Sequence, residues 1–326
     1  MDVARIGFIG VGGVAGGHLN YLSKFDDAKL VAMCDISPEQ LAKRAETFGV
    51  EDTYADYRDM LNTADLDAVY VCVPPFAHGT IEEDVVATGT PIFVEKPVHL
   101  DMEPAIKKYE TIRDSGVINA VGYCVRYLDT IIPLKERLAD HNVEMALGYY
   151  MGGAPGGWWQ QRDRSGGQLV EQTTHIVDTA LYVVGDVKAV GGGFVTRTPL
   201  NDTSTIDNMS QAHLYFENGA IGTITSACSL SQGFKTGLDI FARDLAVEFT
   251  YGGVKITTPD DTFEQKTGND MFPAEGRAFI NAVKSGDRSS ILCDYGQGLK
   301  TLEVTLLAYK AFQQQTVLET TFTPSE

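Results

Sequence analysis

Ile6-Gly7-Phe8-Ile9-Gly10-Val11-Gly12-Gly13-Val14-Ala15 sets the architecture of the first part of the chain. Ile6 to Gly10 is a short apolar run that reads as a strand. Val14 to Ser23 reads as a helix, and the glycines between them form a turn with little room for side chains. On the far side of that helix, Lys29 to Asp35 gives a second strand. A helix follows from about Pro38 to Phe48, with Pro38 in the first turn, where its missing N–H costs nothing, and Ser37 placed to cap it. Ala68 to Val73 is a continuous apolar run ending at Pro74-Pro75. A helix to about Thr88 and the strand Pro91 to Glu95 come next. Strand–helix–strand repeats with strands apolar on both faces predict an α/β fold, a doubly wound parallel sheet covered by helices.

The pattern changes near Gly122. Asn208 to Phe216 and Ala220 to Ser229 flank Glu217-Asn218-Gly219, a strong hairpin signal. Leu238 to Ala242 and Leu245 to Thr250 meet at Arg243-Asp244. A mostly antiparallel sheet is expected, with one long helix ahead of it from Gly167 to Val184. Two more helices should follow, from about Ala274 to Ser285 and from Tyr295 to Gln313. Gly152 to Gly157 and Gly191-Gly192-Gly193 read as mobile loops. The expected division is residues 1–122 and 123–326, which suits a chain of 326 residues.

The 44 Asp+Glu residues outnumber the 26 Lys+Arg, for a formal charge of −18. That acidity argues against nucleic acid or an anionic membrane as main partner, since both reward basic patches. No secretory leader or 18-residue apolar span is expected. The cysteines Cys34, Cys72, Cys124, Cys228 and Cys293 are scattered and form no C-x-x-C, as reduced cytoplasmic thiols would be. No metal site is read from His99, His141 or His213.

Gly10-Val11-Gly12-Gly13-Val14-Ala15 matches G-x-G-x-x-[G/A] between a strand and a helix. Gly10 allows the tight turn, Gly12 lets backbone approach a pyrophosphate, and Ala15 keeps the helix close to the sheet. Gly13 and Val14 complete the loop. Asp35 ends the second strand, where a carboxylate can accept the adenosine ribose hydroxyls and repel a 2′-phosphate. NAD is therefore preferred, with NADP left open by Lys43 and Arg44 on the next helix. A plain glycine turn with a strand-end Asp is the alternative. Glu95-Lys96-Pro97 lies at the carboxyl end of a predicted parallel strand, where such sheets gather ligands. A partly desolvated Lys96 could exchange a proton with a substrate hydroxyl.

These motifs come in one order with Val73-Pro74-Pro75, His78, Arg126-Tyr127, Gly166-Gly167-Gln168-Leu169-Val170-Glu171 and His175-Ile176-Val177-Asp178. In that order the chain resembles the Gfo/Idh/MocA oxidoreductases over essentially its whole length. The resemblance implies an N-terminal Rossmann domain, a C-terminal α+β domain with a large open sheet, and homodimers or homotetramers. It also implies NAD(P)-dependent oxidation of a sugar or cyclitol hydroxyl. In inositol-dehydrogenase-like members, the lysine of E-K-P and a D-x-x-x-H pair surround the reacting carbinol. Here these positions are Lys96, His175 and Glu171; the last departs from the commoner Asp, and Thr173 replaces a frequent glycine. Glu171 and His175, i and i+4 on the expected helix, would share a face with Asp178 as next neighbour.

Pro74, His78, Glu95 and Lys96 are expected beside the cofactor, although helix-start capping would equally explain His78. Trp158 and Trp159 either cover a sugar's C–H face or the nicotinamide, or pack their loop down, with Arg162 bonding hydroxyls. Arg126 reaches either substrate or an interdomain salt bridge, and His18 is read as packing. Two other functions compete with the dehydrogenase: an NAD-retaining glycosidase using transient oxidation, and a non-catalytic dinucleotide sensor.

Overall fold

A computed structural model describes residues 2–324. The chain divides into two units. The first contains β1 (Ala4–Ile9), α1 (Gly13–Leu22), β2 (Ala28–Cys34), α2 (Pro38–Phe48), β3 (Asp52–Tyr54), α3 (Tyr57–Thr63), β4 (Ala68–Val71), α4 (Ile81–Ala87), β5 (Ile92–Val94), α5 (Met102–Ser115) and β6 (Asn119–Val121). Its six strands are all parallel, in the order β3-β2-β1-β4-β5-β6. That order is the doubly wound dinucleotide-binding one, with reversal between β1 and β4.

Register explains its core. Phe8, Tyr70 and Phe93 are direct neighbours across β1, β4 and β5. Their rings stack in a ladder, 5.0 Å and 4.6 Å between centroids. Such aromatic pairs add about 0.5–1.5 kcal/mol each beyond their burial. Ser37 caps α2 by accepting from the Gln40 N–H, and Gly49 ends the helix at φ +67.

The second unit contains α6 (Ile131–Leu138), β7 (Val143–Met151), α7 (Arg162–Ser165), α8 (Gln168–Glu171), α9 (Thr174–Val183), β8 (Val187–Val195), β9 (Met209–Phe216), β10 (Ile221–Ala227), β11 (Lys235–Ala242), β12 (Leu245–Thr250), β13 (Gly253–Thr257) and β14 (Thr262–Lys266). After these come α10 (Met271–Ser285), α11 (Tyr295–Gln314) and β15 (Leu318–Glu319). Nine strands form one sheet in the order β14-β13-β12-β11-β7-β10-β9-β8-β15. Only β7 and β10 pair in parallel among them. Leu214, Phe216, Ile224 and Ile240 are buried on one face, while Tyr215 and Ile221 remain exposed on the other. The hairpin at Asn218-Gly219 is present, with Gly219 at φ +90.

Three expectations are corrected. Helix α10 does not stay with the second unit: residues Asp270–Gly296 belong to the first, so no single boundary at 122/123 divides the chain. Phe279 of α10 lies edge-on to Tyr70 and Phe93, 5.5 Å and 5.6 Å away, and closes the aromatic ladder. Gly191-Gly192-Gly193 is not a loop but the middle of β8. A Cβ on Gly192 would stand 1.9 Å from the Ala308 carbonyl oxygen, so glycine lets α11 lie directly on the strand. The helix expected from Gly167 to Val184 is two, interrupted at Gln172-Thr173. There the Thr173 N–H donates to the Gln168 carbonyl five residues back, at 2.9 Å, a widened turn of the kind that recurs at functional positions. Among the described residues, no helix is long and apolar enough to cross a membrane.

Candidate functional site

The glycine loop lies at the carboxyl ends of β1, β2 and β4. The Gly10 N–H donates to the Cys34 carbonyl and the Cys72 N–H to that of Ile9, both at 2.8 Å. Gly10 has φ +84, and a Cβ there would meet the Cys72 carbonyl oxygen at 2.7 Å, so no other residue fits. At Gly12 and Gly13 an added Cβ would meet nothing within 4 Å, whereas Ala15 is fully buried. Helix α1 has no side-chain cap and no acidic residue in its first turn. Its first N–H groups and positive dipole end therefore suit a pyrophosphate, with open space over Gly12, Gly13 and the exposed Val14.

Asp35 is half-buried at the end of β2. Its Oδ2 accepts from the Val11 N–H and its Oδ1 from the Ser37 N–H, each at 2.8 Å. A carboxylate has about four acceptor positions, so two remain for ribose hydroxyls. Burial raises the neighbouring Cys34 thiol to about 12, helped by Asp35, Asp56 and Asp59. Three carboxylates thus make this end of the sheet negative. Arg44 does not offset them at the ribose: it donates to the Val11 and Gly12 carbonyls, both at 3.2 Å.

Past β5, Glu95 is 4% exposed. Its Oε1 meets His18 Nε2 at 2.6 Å, and its Oε2 accepts from the Lys96 N–H at 3.1 Å. Both oxygens of this carboxyl therefore have partners inside the protein. Lys96 is half-buried, and the Lys96–Pro97 peptide is cis. Pro74 is half-buried ahead of a single 3-10 turn. His78 is buried; its Nδ1 pairs with Glu82, which with Glu83 and the Gly79 carbonyl also holds the buried Lys108. Burial opposes the Glu82 charge, but His78 and Lys108 prevail and lower its pKa. His78 therefore braces α4 through Glu82, and its carbonyl accepts from the Ile81 N–H at the helix start, at 2.9 Å.

In the second unit, Arg126 and Asp178 are 3% and 0% exposed and bind each other through two bonds of 2.8 and 2.7 Å. Thr301 adds a third bond to Asp178, at 2.9 Å. Asp178 was expected near substrate, and Arg126 either there or in an interdomain salt bridge; the two pair with each other within the second unit. Trp159 is 2% exposed, packed with Ile206 and Cys228, and its Nε1–H donates to Glu171. Half-buried Trp158 packs against the same cluster. Arg162 pairs with Asp207, donates to the Gly166 carbonyl at 3.0 Å and lies 3.9 Å over the Tyr309 ring, so it clamps its loop. Gln168 ties α8 to the Ala227 carbonyl at 3.0 Å. His175 is half-buried in the first turn of α9, past the widened turn that separates it from Glu171.

The sequence reading missed the partnership of His18 with Glu95. The available signal was a histidine three residues beyond Ala15 on the buried face of α1, where a polar side chain needs a partner.

The Gfo/Idh/MocA oxidoreductase family, described as having an NAD-binding Rossmann fold, matches residues 4–123, and its C-terminal domain matches residues 141–248. The chain is 26% identical to the uncharacterized oxidoreductase YrbE of Bacillus subtilis over 94% of its length and 93% of that protein. It is 25% identical to myo-inositol 2-dehydrogenase of Thermotoga maritima, over 90% of this chain and 92% of the relative. An oxidoreductase from Agrobacterium radiobacter, solved with NAD+, L-tartaric acid and magnesium, shares the fold at a TM-score of 0.86. It is 18% identical and spans 97% of this chain and 98% of its own. With the glycine cradle, the strand-end aspartate and both domain matches in place, the chain belongs to the Gfo/Idh/MocA family of NAD-binding oxidoreductases.

Proposed function

We propose that the protein is an NAD-dependent dehydrogenase of a neutral cyclic polyol, a cyclitol or a pyranose. Bound NAD would supply a hydride acceptor, so the chain's own task is to orient the carbinol and take its hydroxyl proton. Lys96 and His175 share that proton. Lys96 stands at the carboxyl end of β5, two strands from the glycine loop in the same sheet. This placement is the observation that carries the reading. Glu171 anchors Trp159 and is not a proton carrier. Trp158 is left as the ring that covers a sugar's C–H face.

NAD is preferred to NADP because Asp35 keeps ribose-binding capacity and Arg44 is held by the loop. A neutral substrate fits because Arg126 and Arg162 are each paired with an aspartate, so neither offers a guanidinium to a sugar carboxylate. The five cysteines are buried thiols, which suits a reducing compartment such as the cytoplasm. A homo-oligomer would cover the exposed sheet face. There Tyr215, Ile221, Met145 and Phe241 align across β9, β10, β7 and β11.

The test is NADH absorbance with NAD against inositols, aldoses, 1,5-anhydro sugars and glycosides, with sugar release followed in parallel. NADH should appear with one stereochemical subset. Lys96→Ala and His175→Ala should each cut turnover at least about 100-fold, the scale for losing a general acid–base group. Full activity in either variant overturns their assignment. Sugar release without NADH would overturn the dehydrogenase.

A further inference from the structure

We propose that Glu95 is a positioning residue for Lys96, held in place by a buried chain that runs from Tyr21 through His18. The proposal rests on the reading of Lys96 as proton carrier and adds what sets that lysine's place and charge.

The chain is continuous through direct contacts. The Tyr21 hydroxyl meets His18 Nδ1 at 2.6 Å, His18 Nε2 meets Glu95 Oε1 at 2.6 Å, and Glu95 Oε2 receives the Lys96 N–H at 3.1 Å. His18 is 0% exposed, Glu95 4% and Tyr21 7%. Burial pushes the Tyr21 hydroxyl well above its ordinary pKa, so it keeps its proton. With that O–H donating to Nδ1, the Nε2–H of His18 faces Glu95. Both carboxylate oxygens then have a donor, as a buried charge requires.

Two glycines clear space for it. A Cβ on Gly122 would come within 2.8 Å of the Glu95 carboxyl, and one on Gly276 within 2.2 Å of the Tyr21 ring. Phe93 and Phe272 flank the imidazole edge-on, at 5.2 and 6.2 Å. The chain therefore joins α1, whose first turn forms the glycine loop, to the peptide from which the Lys96 side chain departs.

A fixed carboxylate in a poorly screened site also favours the ammonium form of the lysine whose backbone N–H it holds. The two share surroundings: burial, Glu275 and Glu95 raise the Cys124 thiol, while Lys96 lowers it. The other ionisable groups facing the chain are Tyr70, Cys72 and Glu275.

The experiment reads Lys96 directly. Its acetylation by acetic anhydride is followed against pH by peptide mass spectrometry, in wild type and in Glu95→Gln, His18→Gln and His18→Leu. Glu95→Gln should shift the Lys96 midpoint to lower pH by at least about half a unit, the expected direction when a neighbouring negative charge is removed. His18→Gln, whose amide still donates to Glu95, should stay nearer wild type than His18→Leu. Calorimetric NAD affinity should change less than about threefold throughout, a small free-energy difference. A wild-type labelling profile in Glu95→Gln overturns the proposal. If Glu95→Gln does not fold, identical profiles for the two His18 variants overturn it instead. Turnover of Lys96→Ala separates the two readings. Activity there removes the catalytic role of Lys96, whereas inactivity alongside an unshifted Glu95→Gln profile removes only the role of Glu95.

Discussion

Asp35 divides its carboxylate between protein and ligand. Two backbone N–H groups hold it against the glycine loop, and its remaining acceptor positions suit the ribose hydroxyls. Asp35→Ala should therefore weaken NAD binding and relax discrimination against NADP. Measuring Kd for both cofactors checks this, and an unchanged ratio would mean that another group reads the ribose. Asp178 makes the opposite case. Paired inside the second unit with Arg126 and Thr301, it is fully buried and offers no exposed atom to a sugar. Asp178→Ala would remove the paired carboxylate from a buried guanidinium, and loss of one partner from such a pair costs about 3–5 kcal/mol. A denaturant midpoint equal to wild type would exclude that cost. The motif order made these residues visible, but not their partners: the i,i+4 spacing of Glu171 and His175 says nothing of a Trp159 donor or of a widened turn between them.

Among the elements, α10 depends on ion pairs as well as on Phe279. Lys284 and Arg277 both donate to Asp27 at 2.7 Å and lower its pKa from the ordinary 3.8 to about 2. A pKa depressed on folding stabilises above the unfolded value, and that stabilisation fades as pH falls through the folded one. Asp27→Asn should thus melt below wild type at pH 7, with the gap closing as pH falls from about 4 towards 2. A gap independent of pH would show that the charge is not responsible. Helix α2 was legible to its ends because Ser37, Pro38 and Gly49 act within a few residues. The hairpin at Gly219 was legible for the same reason. Strand β8 was not, since three consecutive glycines look flexible until α11 is known to press on Gly192. The short β3 and β6 and the longer β7 carry too little local pattern to stand out from their surroundings.

Over the whole molecule, the nine-stranded sheet keeps apolar side chains on its exposed face, where Ile221 and Tyr215 are 53% and 39% accessible. A second copy of the chain is the simplest cover, given that most oligomers are symmetric homo-oligomers. Ile221→Lys should then shift the wild-type sedimentation coefficient to that of a single chain without altering the fold. A wild-type protein that already sediments as a monomer would rule the interface out. The parallel order of the first sheet could be read from alternating runs of sequence, because each strand and its crossover helix are contiguous. The return of α10 could not. Its apolar positions announce a buried face, but nothing local names the partner.

That return bears on how the protein is made. The first sheet is synthesised by Val121, yet the helix carrying Phe279 and Ile280 to its core comes some 150 residues later. A nascent chain must therefore hold Tyr70 and Phe93 without their final cover while the whole nine-stranded sheet is translated. A fragment cut at residue 122 would keep the cofactor loop and still lack a wall of its own core. Any expression of the dinucleotide-binding half alone would need residues 270–296 supplied, in the same chain or as a separate peptide.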